Sequence, residues 1–484
     1  MRKVLVLVAI GIVIAGFYVS GDSEIDPVKG FAEAGFYELE TDEGYVLSIE
    51  SGRVAVPENR ARPDSRQISI AYYRVKGASD GPPIVMLDGG PGGSFTEKLA
   101  EGGARQESAR YRVDLYRQFG DVIMPDLRGI NLSQPNIRCD GSSGPWIRIT
   151  SDEAFAEAIA GGGKACRDKL VAEGFDLAGY NIIEAAADVV AVMDSLGYDT
   201  FRVAGGSFGG QLAFTLLKYH GERIDRAIID GVEPYDHTYD DPRGLHEAAQ
   251  RISAMAADAW QARGNEGDPL SALIDLAQRA EQDPDTADGL SPLNVYALGL
   301  QGLGSRKSMK SWVATVDDLL KNGPSGVQVF LLRNVGSLFL GPRGWDPAAS
   351  GLIDCASGVS DARRADMESY DHVLFNEAAY FFDDARCRGW NVPELPDEFR
   401  QFDENTTPVL FVQGSIDFST PPSNVNEALQ HFPNSHLIVV ENGSHGAYYE
   451  ALTLSEQMKP AVEAWLSGEI PATERILLPP VEFE

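Results

Sequence analysis

Metal-binding spacing is missing from this sequence. Its four cysteines and seven histidines include no Cys-x-x-Cys and no His-x-x-x-His pair, so a zinc site is a poor competitor for these residues and no metal or cofactor is expected. Basic charge is scarce as well. Lys and Arg number 41 against 72 Asp and Glu, a formal net charge of -31. Such a surface repels phosphate backbones and anionic headgroups, which argues against nucleic acid as a partner. Long apolar runs are confined to the first residues. Residues 4–19 form one, preceded by Met1-Arg2-Lys3 and ending at Val19-Ser20-Gly21, the layout of an export signal over residues 1–21. About 16 apolar residues fall short of the roughly 20 that a membrane span takes. Left uncleaved, the segment would be an N-terminal anchor. In both cases the body is expected outside the cytoplasm, periplasmic or secreted.

An exported chain can use its cysteines as bridges. Four cysteines admit three pairings, and the separation of the two couples along the chain favours Cys139 with Cys166 and Cys355 with Cys387. At 484 residues the chain exceeds most single cores, so one large domain with an insertion, or two domains, is expected.

The stretch Phe201-Arg202-Val203-Ala204-Gly205-Gly206-Ser207-Phe208-Gly209-Gly210 carries the chemistry. A β-prone run meets Gly-x-Ser-x-Gly and a helical pattern follows, the strand, sharp turn and helix of a nucleophile elbow. A serine on so tight a turn needs bare neighbours two residues away on either side, and Gly205 and Gly209 supply them. Upstream, the apolar run at residues 83–87 leads into Asp88-Gly89-Gly90-Pro91-Gly92-Gly93-Ser94. Beside a serine nucleophile, such a loop can bring backbone N–H groups to the oxyanion of an acyl-transfer intermediate, each donor being worth about 10²–10³ in rate. The phosphate-cradling glycine patterns do not fit it.

Short apolar runs alternate with helical patterns on both sides of this centre. Residues 37–56 and 68–75 read as strands of a hairpin or meander, and residues 121–125 as a buried strand followed by Asp126-Leu127-Arg128-Gly129. Residues 131–180 form an excursion with helices at 152–159 and 164–173, separated by a flexible Gly161-Gly162-Gly163. From 182 the apolar residues recur at helical spacing, with Asn181 as a cap and Gly197 as a stop. A helix at 208–220 and a strand at 227–230 come next. This order predicts a mostly parallel sheet flanked by helices, with the site at the strands' C-terminal ends. Residues 235–404 lose the alternation and read as an inserted helical cap, with helices at 244–263, 269–281, 311–320 and 366–382. The sheet domain thus comprises residues 30–234 and 405–470. After the cap, a strand at 408–412 leads to Asp417 and one at 436–440 leads to His445. Ser, Asp, His in that order, each after a strand, is the chain order of an α/β-hydrolase triad.

These motifs, with Thr420-Pro421-Pro422, Ser444-His445-Gly446, Val56-Pro57-Glu58-Asn59-Arg60 and Cys387-Arg388-Gly389-Trp390, resemble the α/β-hydrolases of the proline iminopeptidase and tripeptidyl aminopeptidase family over nearly all of the chain after the signal. The resemblance implies an exported serine aminopeptidase acting on small peptides, with Ser207, Asp417 and His445 as triad, the N–H groups of Gly90 and Phe208 as oxyanion hole, and carboxylates from the cap holding the substrate's amino terminus. It departs from the family at Asp88, where histidine is usual, and at Asn131, Phe208 and Ser415. The same triad also cleaves esters, so a carboxylesterase or lipase-like hydrolase is the alternative.

Overall fold

The computed structural model describes residues 35–40, 46–101, 103–138, 151–325 and 347–484. The expected signal at residues 1–21 and Cys139 lie outside the described residues. Ten strands form one sheet in the order β1-β2-β3-β5-β4-β6-β7-β8-β9-β10. Strands β1 (Gly35–Glu40), β2 (Val46–Pro57) and β3 (Gln67–Val75) make an antiparallel meander, which joins β5 (Val122–Pro125) antiparallel. From β5 onward every pairing is parallel: β4 (Ile84–Leu87), β6 (Phe201–Gly206), β7 (Ile224–Asp230), β8 (Val409–Gly414), β9 (Ser435–Glu441) and β10 (Arg475–Leu477).

The central strands are continuous apolar runs because both faces are covered. Val85, Leu87, Val203, Ile229 and Phe411 face a core shared with helices Ile182–Ser195, Phe208–His220 and Pro422–Leu429. Ile84, Met86, Ala204, Ile228 and Leu410 face the opposite core, closed by helices Gly103–Tyr116, Ala447–Leu454 and Met458–Leu466. Each fully buried side chain of this size contributes roughly 1.5–3 kcal/mol. The predicted cap on Ile182–Ser195 is present, with Asn181 Oδ1 accepting from the Glu184 N–H at 3.0 Å. Strand β10 stops at Pro479-Pro480 and was not anticipated.

Between β7 and β8 the described residues contain helices and no strand. Helices Pro242–Ala262, Pro269–Gln282 and Trp312–Asn322 match their expected positions and share an apolar core with Ile416 of the sheet domain. Two expectations are corrected. The helix expected at 366–382 is broken into Asp361–Glu368, a 3-10 turn at Glu377–Ala379 and Phe381–Trp390. His372 Nδ1 accepts from the N–H groups of Leu374 and Phe375 at 3.1 and 3.0 Å, and Asn376 caps the next turn, so local side chains replace the helical ladder. Conversely, Gly161-Gly162-Gly163 is not a flexible break but the middle of one helix, Asp152–Ala172. A Cβ on Gly163 would stand 3.3 Å from the Arg386 carbonyl oxygen, and one on Gly389 would collide with the Ala160 carbonyl, so these glycines let this helix and Phe381–Trp390 lie against each other. Cys355 and Cys387 are bonded as expected and tie helix Pro347–Ser357 to Phe381–Trp390. Cys166 is also disulfide-bonded.

Candidate active site

Ser207 sits between β6 and helix Phe208–His220 at φ 57° and ψ -132°, a left-handed conformation that costs a residue with a side chain about 1–3 kcal/mol unless its surroundings hold it. Here they do. Its N–H donates to the carbonyls of Asp230 and Gly231 at 3.1 and 3.0 Å. A Cβ on Gly205 would strike the Gly209 carbonyl, and one on Gly209 would strike that of Leu87. Both glycines are therefore required on steric grounds, as the sequence pattern demands.

The loop after β4 arches over this turn. A Cβ on Gly89 would stand 3.8 Å from Ser207 Oγ. Gly90 and Gly92 take φ values of 133° and 116°, which glycine alone adopts freely. Among the described residues no hydrogen bond engages the backbone N–H of Gly90 or of Phe208, leaving both free to meet a substrate oxygen. Asp88 lies beneath the loop, its Oδ1 accepting from the Gly89 N–H at 2.9 Å and from Lys98 Nζ at 2.6 Å.

Asp417 follows β8 and is fully buried. Its Oδ1 accepts from the N–H groups of Ser419 and Thr420 at 2.8 and 2.9 Å, and its Oδ2 from Thr420 Oγ1 at 2.8 Å. Both carboxylate oxygens lie 3.1 Å from His445 Nδ1. Burial alone would raise the Asp417 pKa, but His445 and these N–H donors outweigh it and hold the group below the usual carboxylate value. Burial would likewise lower the His445 pKa. Asp417 first, then Asp230 and Glu233, instead raise it to about 9. Gly231, which accepts the Ser207 N–H, also packs on the imidazole, since a Cβ there would lie 3.2 Å from His445 Cε1. Ser207 and His445 thus share a wall, although Ser207 Oγ is not hydrogen-bonded to the ring among the described residues.

A set of acids surrounds this corner. Glu233 and Asp240 lie just past β7, while Asp354 and Asp383 come from helices Pro347–Ser357 and Phe381–Trp390. Arg386 bridges the latter two at 2.7 Å each. Glu233, Asp240 and Asp383 are half-buried and form an acidic cluster whose members raise one another's pKa. Burial, reinforced by neighbouring carboxylates, raises Glu233 and Asp240 well above the carboxylate range. The His445 charge opposes both shifts. Neither acid has a salt-bridge partner among the described residues. Sequence reasoning located no member of this cluster. Only Glu233 left a trace, as an acid just past the end of a parallel strand. Asp240 lies in the following loop, and Asp354 and Asp383 come from two helices whose meeting no local spacing reports.

The Asp-Leu-Arg-Gly segment is structural. Buried Asp126 accepts from Ser94 Oγ and Thr96 Oγ1 at 2.6 and 2.8 Å, and Arg128 is enclosed by Asp188 and the Glu58 carbonyl. No cluster of three or more potential metal ligands occurs among the described residues.

The chain matches the family model described as alpha/beta hydrolase fold over residues 82–265 and the one described as TAP-like protein over residues 373–475. The chain is an α/β-hydrolase with a TAP-like later segment. The two matched segments of this hydrolase carry Ser207 and the Asp417–His445 pair respectively. Serine protease Hip1 of Mycobacterium tuberculosis is 26% identical over 239 residues, which are 46% of this chain and 43% of that protein. Proline iminopeptidase of Xylella fastidiosa is 22% identical over 161 residues, 33% of this chain and 36% of that protein. The hydrolase therefore aligns with less than half the length of these curated relatives. Among solved structures, Rv0554 from Mycobacterium tuberculosis is 15% identical with a TM-score of 0.40, covering 86% of this chain and 99% of that one.

Proposed function

We propose that this α/β-hydrolase is an exported serine aminopeptidase that releases residues from the amino terminus of small peptides. One observation carries the reading: Glu233 and Asp240, with no salt-bridge partner among the described residues, lie close enough to His445 for its charge to act on both. Buried carboxyls that hold their protons for want of a counter-ion ionise when a cation enters beside them, which makes this cluster complementary to a substrate's ammonium group. In the proposed reaction Ser207 Oγ attacks the scissile carbonyl while His445 Nε2 takes its proton. Asp417 orients the ring through Nδ1 and stabilises the imidazolium. The N–H groups of Gly90 and Phe208 receive the developing oxyanion. His445 then protonates the leaving amine, and water, activated by the same ring, releases the acyl group from Ser207. In this reading residues 235–404 act as a cap that, together with Glu233, supplies the ammonium site, and no cofactor takes part. Export is supported by the Cys355–Cys387 bond and by the apolar N-terminal run. Among the described residues no helix is long and apolar enough to cross a membrane.

The test compares an aminoacyl amide with its N-acetylated form. Removing one partner of an enclosed ion pair typically costs about 3–5 kcal/mol, hundreds-fold to thousands-fold in kcat/KM, and a loss of that size is expected on acetylation. Equal turnover of the two, or hydrolysis of short-chain esters alone, would replace the aminopeptidase with a carboxylesterase.

A further inference from the structure

The loop at residues 88–93 has little shape of its own. Two of its residues, Gly90 and Gly92, occupy positive φ, so the contacts around the loop must hold its form. From the sheet side these are the Gly93 N–H to the Gly89 carbonyl at 3.0 Å and the Asp88–Lys98 pair at 2.6 Å, which ties the loop to helix Phe95–Glu101. From the opposite side the Ser350 hydroxyl donates to the Pro91 carbonyl oxygen. Ser350 is buried, 4% exposed. It belongs to helix Pro347–Ser357 of the insertion and lies 259 positions further along the chain. One turn later that helix carries Asp354, paired with Arg386 in the acidic cluster, and then Cys355, bonded to Cys387.

We propose that Ser350 is a positioning residue for the oxyanion hole, its hydrogen bond to the Pro91 carbonyl holding the Gly90 N–H where charge develops on the substrate oxygen. This rests on the proposed roles of Ser207 and Gly90. The physical reason is leverage. Pro91 directly follows Gly90, and a swing of the Pro91 carbonyl turns the flexible glycine backbone that carries the donor. Stabilisation by such donors depends on their being preorganised, because a donor that must reorient during the reaction loses most of its value. The insertion then contributes to the transition state as well as to substrate recognition. One helix reaches both places, Ser350 toward the proposed oxyanion hole and Asp354 toward the acidic cluster of the proposed ammonium site.

The test is Ser350→Ala in the full chain, assayed with an aminoacyl amide. Loss of one hydrogen bond to a buried carbonyl predicts a fall in kcat of about 10-fold, with KM within about twofold of the parent. Affinity for an aminoacyl trifluoromethyl ketone, whose hemiketal oxyanion enters the hole, should fall by the same factor, while affinity for the product amino acid stays unchanged. Ser350→Thr, which keeps the hydroxyl, should recover most of the loss. An unchanged kcat, a loss confined to KM, or an unchanged ketone affinity would overturn the proposal. If Ser350→Ala fails to fold, Ser350→Cys, which keeps the shape and weakens the donor, is read by the same ketone and product affinities. Fluorophosphonate labelling separates the two levels: labelling at Ser207 with no effect of Ser350→Ala removes this inference alone, whereas no labelling of Ser207 in the parent removes the nucleophile assignment as well.

Discussion

Ser207 is held in a conformation that an ordinary residue avoids, and every restraint on it comes from backbone: two carbonyls accepting its N–H and two glycines with no room for a side chain. Ser207→Ala should therefore keep the turn and remove only the hydroxyl, lowering kcat on the order of 10⁵–10⁶ with unchanged unfolding behaviour. Persistent fluorophosphonate labelling of another serine would contradict this. His445 makes a separate prediction. A general base works unprotonated, and with its pKa raised to about 9 the acid limb of kcat/KM should lie near pH 9 rather than near the ordinary histidine value. Asp417→Asn removes the largest raising influence, so the limb should move downward while kcat falls by about 10⁴. At this scale the sequence was most legible where a residue directly follows a strand, because chain order then fixes its place on the sheet's edge. Ser207, Asp417 and His445 were placed at that edge in this way, and the structure has them there. Asp240, Asp354, Asp383 and Arg386 were not, since no spacing along the chain announces that three separate segments converge.

Elements repeat this lesson with glycine. Gly161-Gly162-Gly163 reads locally as a hinge, because glycine costs about 1 kcal/mol in a helix interior relative to alanine. Tertiary packing overrides that cost, as helix Asp152–Ala172 lies so close to Phe381–Trp390 that Gly389 has no space for a Cβ. Gly389→Val should lower stability by about 1–3 kcal/mol in denaturant unfolding, and an unchanged midpoint would show the two helices to be loosely apposed. The bridge between helices Pro347–Ser357 and Phe381–Trp390 closes a loop with a sequence separation of 32, for which chain entropy gives about 3–4 kcal/mol. Replacing Cys355 and Cys387 with serine should lower Tm accordingly. It should also raise KM more than it lowers kcat if the acids bind the substrate's ammonium group as proposed, because the flanking residues Asp354 and Arg386 pair with each other and, through Arg386, with Asp383. A Tm equal to the parent's would refute the first expectation, and a fall in kcat alone the second.

Across the whole molecule, acidity decides behaviour. The pKa values of Asp354 and Asp230 are raised by burial to about 7 and about 6, and that of His445 by its carboxylate neighbours to about 9. Each group binds its proton more tightly when folded. Its contribution to stability is complete below the unfolded pKa and is lost as pH rises through the folded one. Glu427, lowered to about 2 by His237 and Arg363 against the opposing effect of burial, works in the other direction and loses its contribution only in strong acid. Tm should therefore decline between about pH 5 and pH 9, and a flat or rising profile would contradict these shifts. The net charge of -31 adds a self-repulsion that grows as the acids ionise and that salt screens. The sheet's far rim bears on behaviour in concentrated solution. An open sheet edge can template the backbone of a neighbouring copy. Here the edge strand β10 spans only Arg475–Leu477 and runs into Pro479-Pro480, which have no N–H to offer an incoming strand. Filament growth by strand addition is blocked at that rim by chain geometry alone, so protection there persists at ionic strengths where charge repulsion has faded.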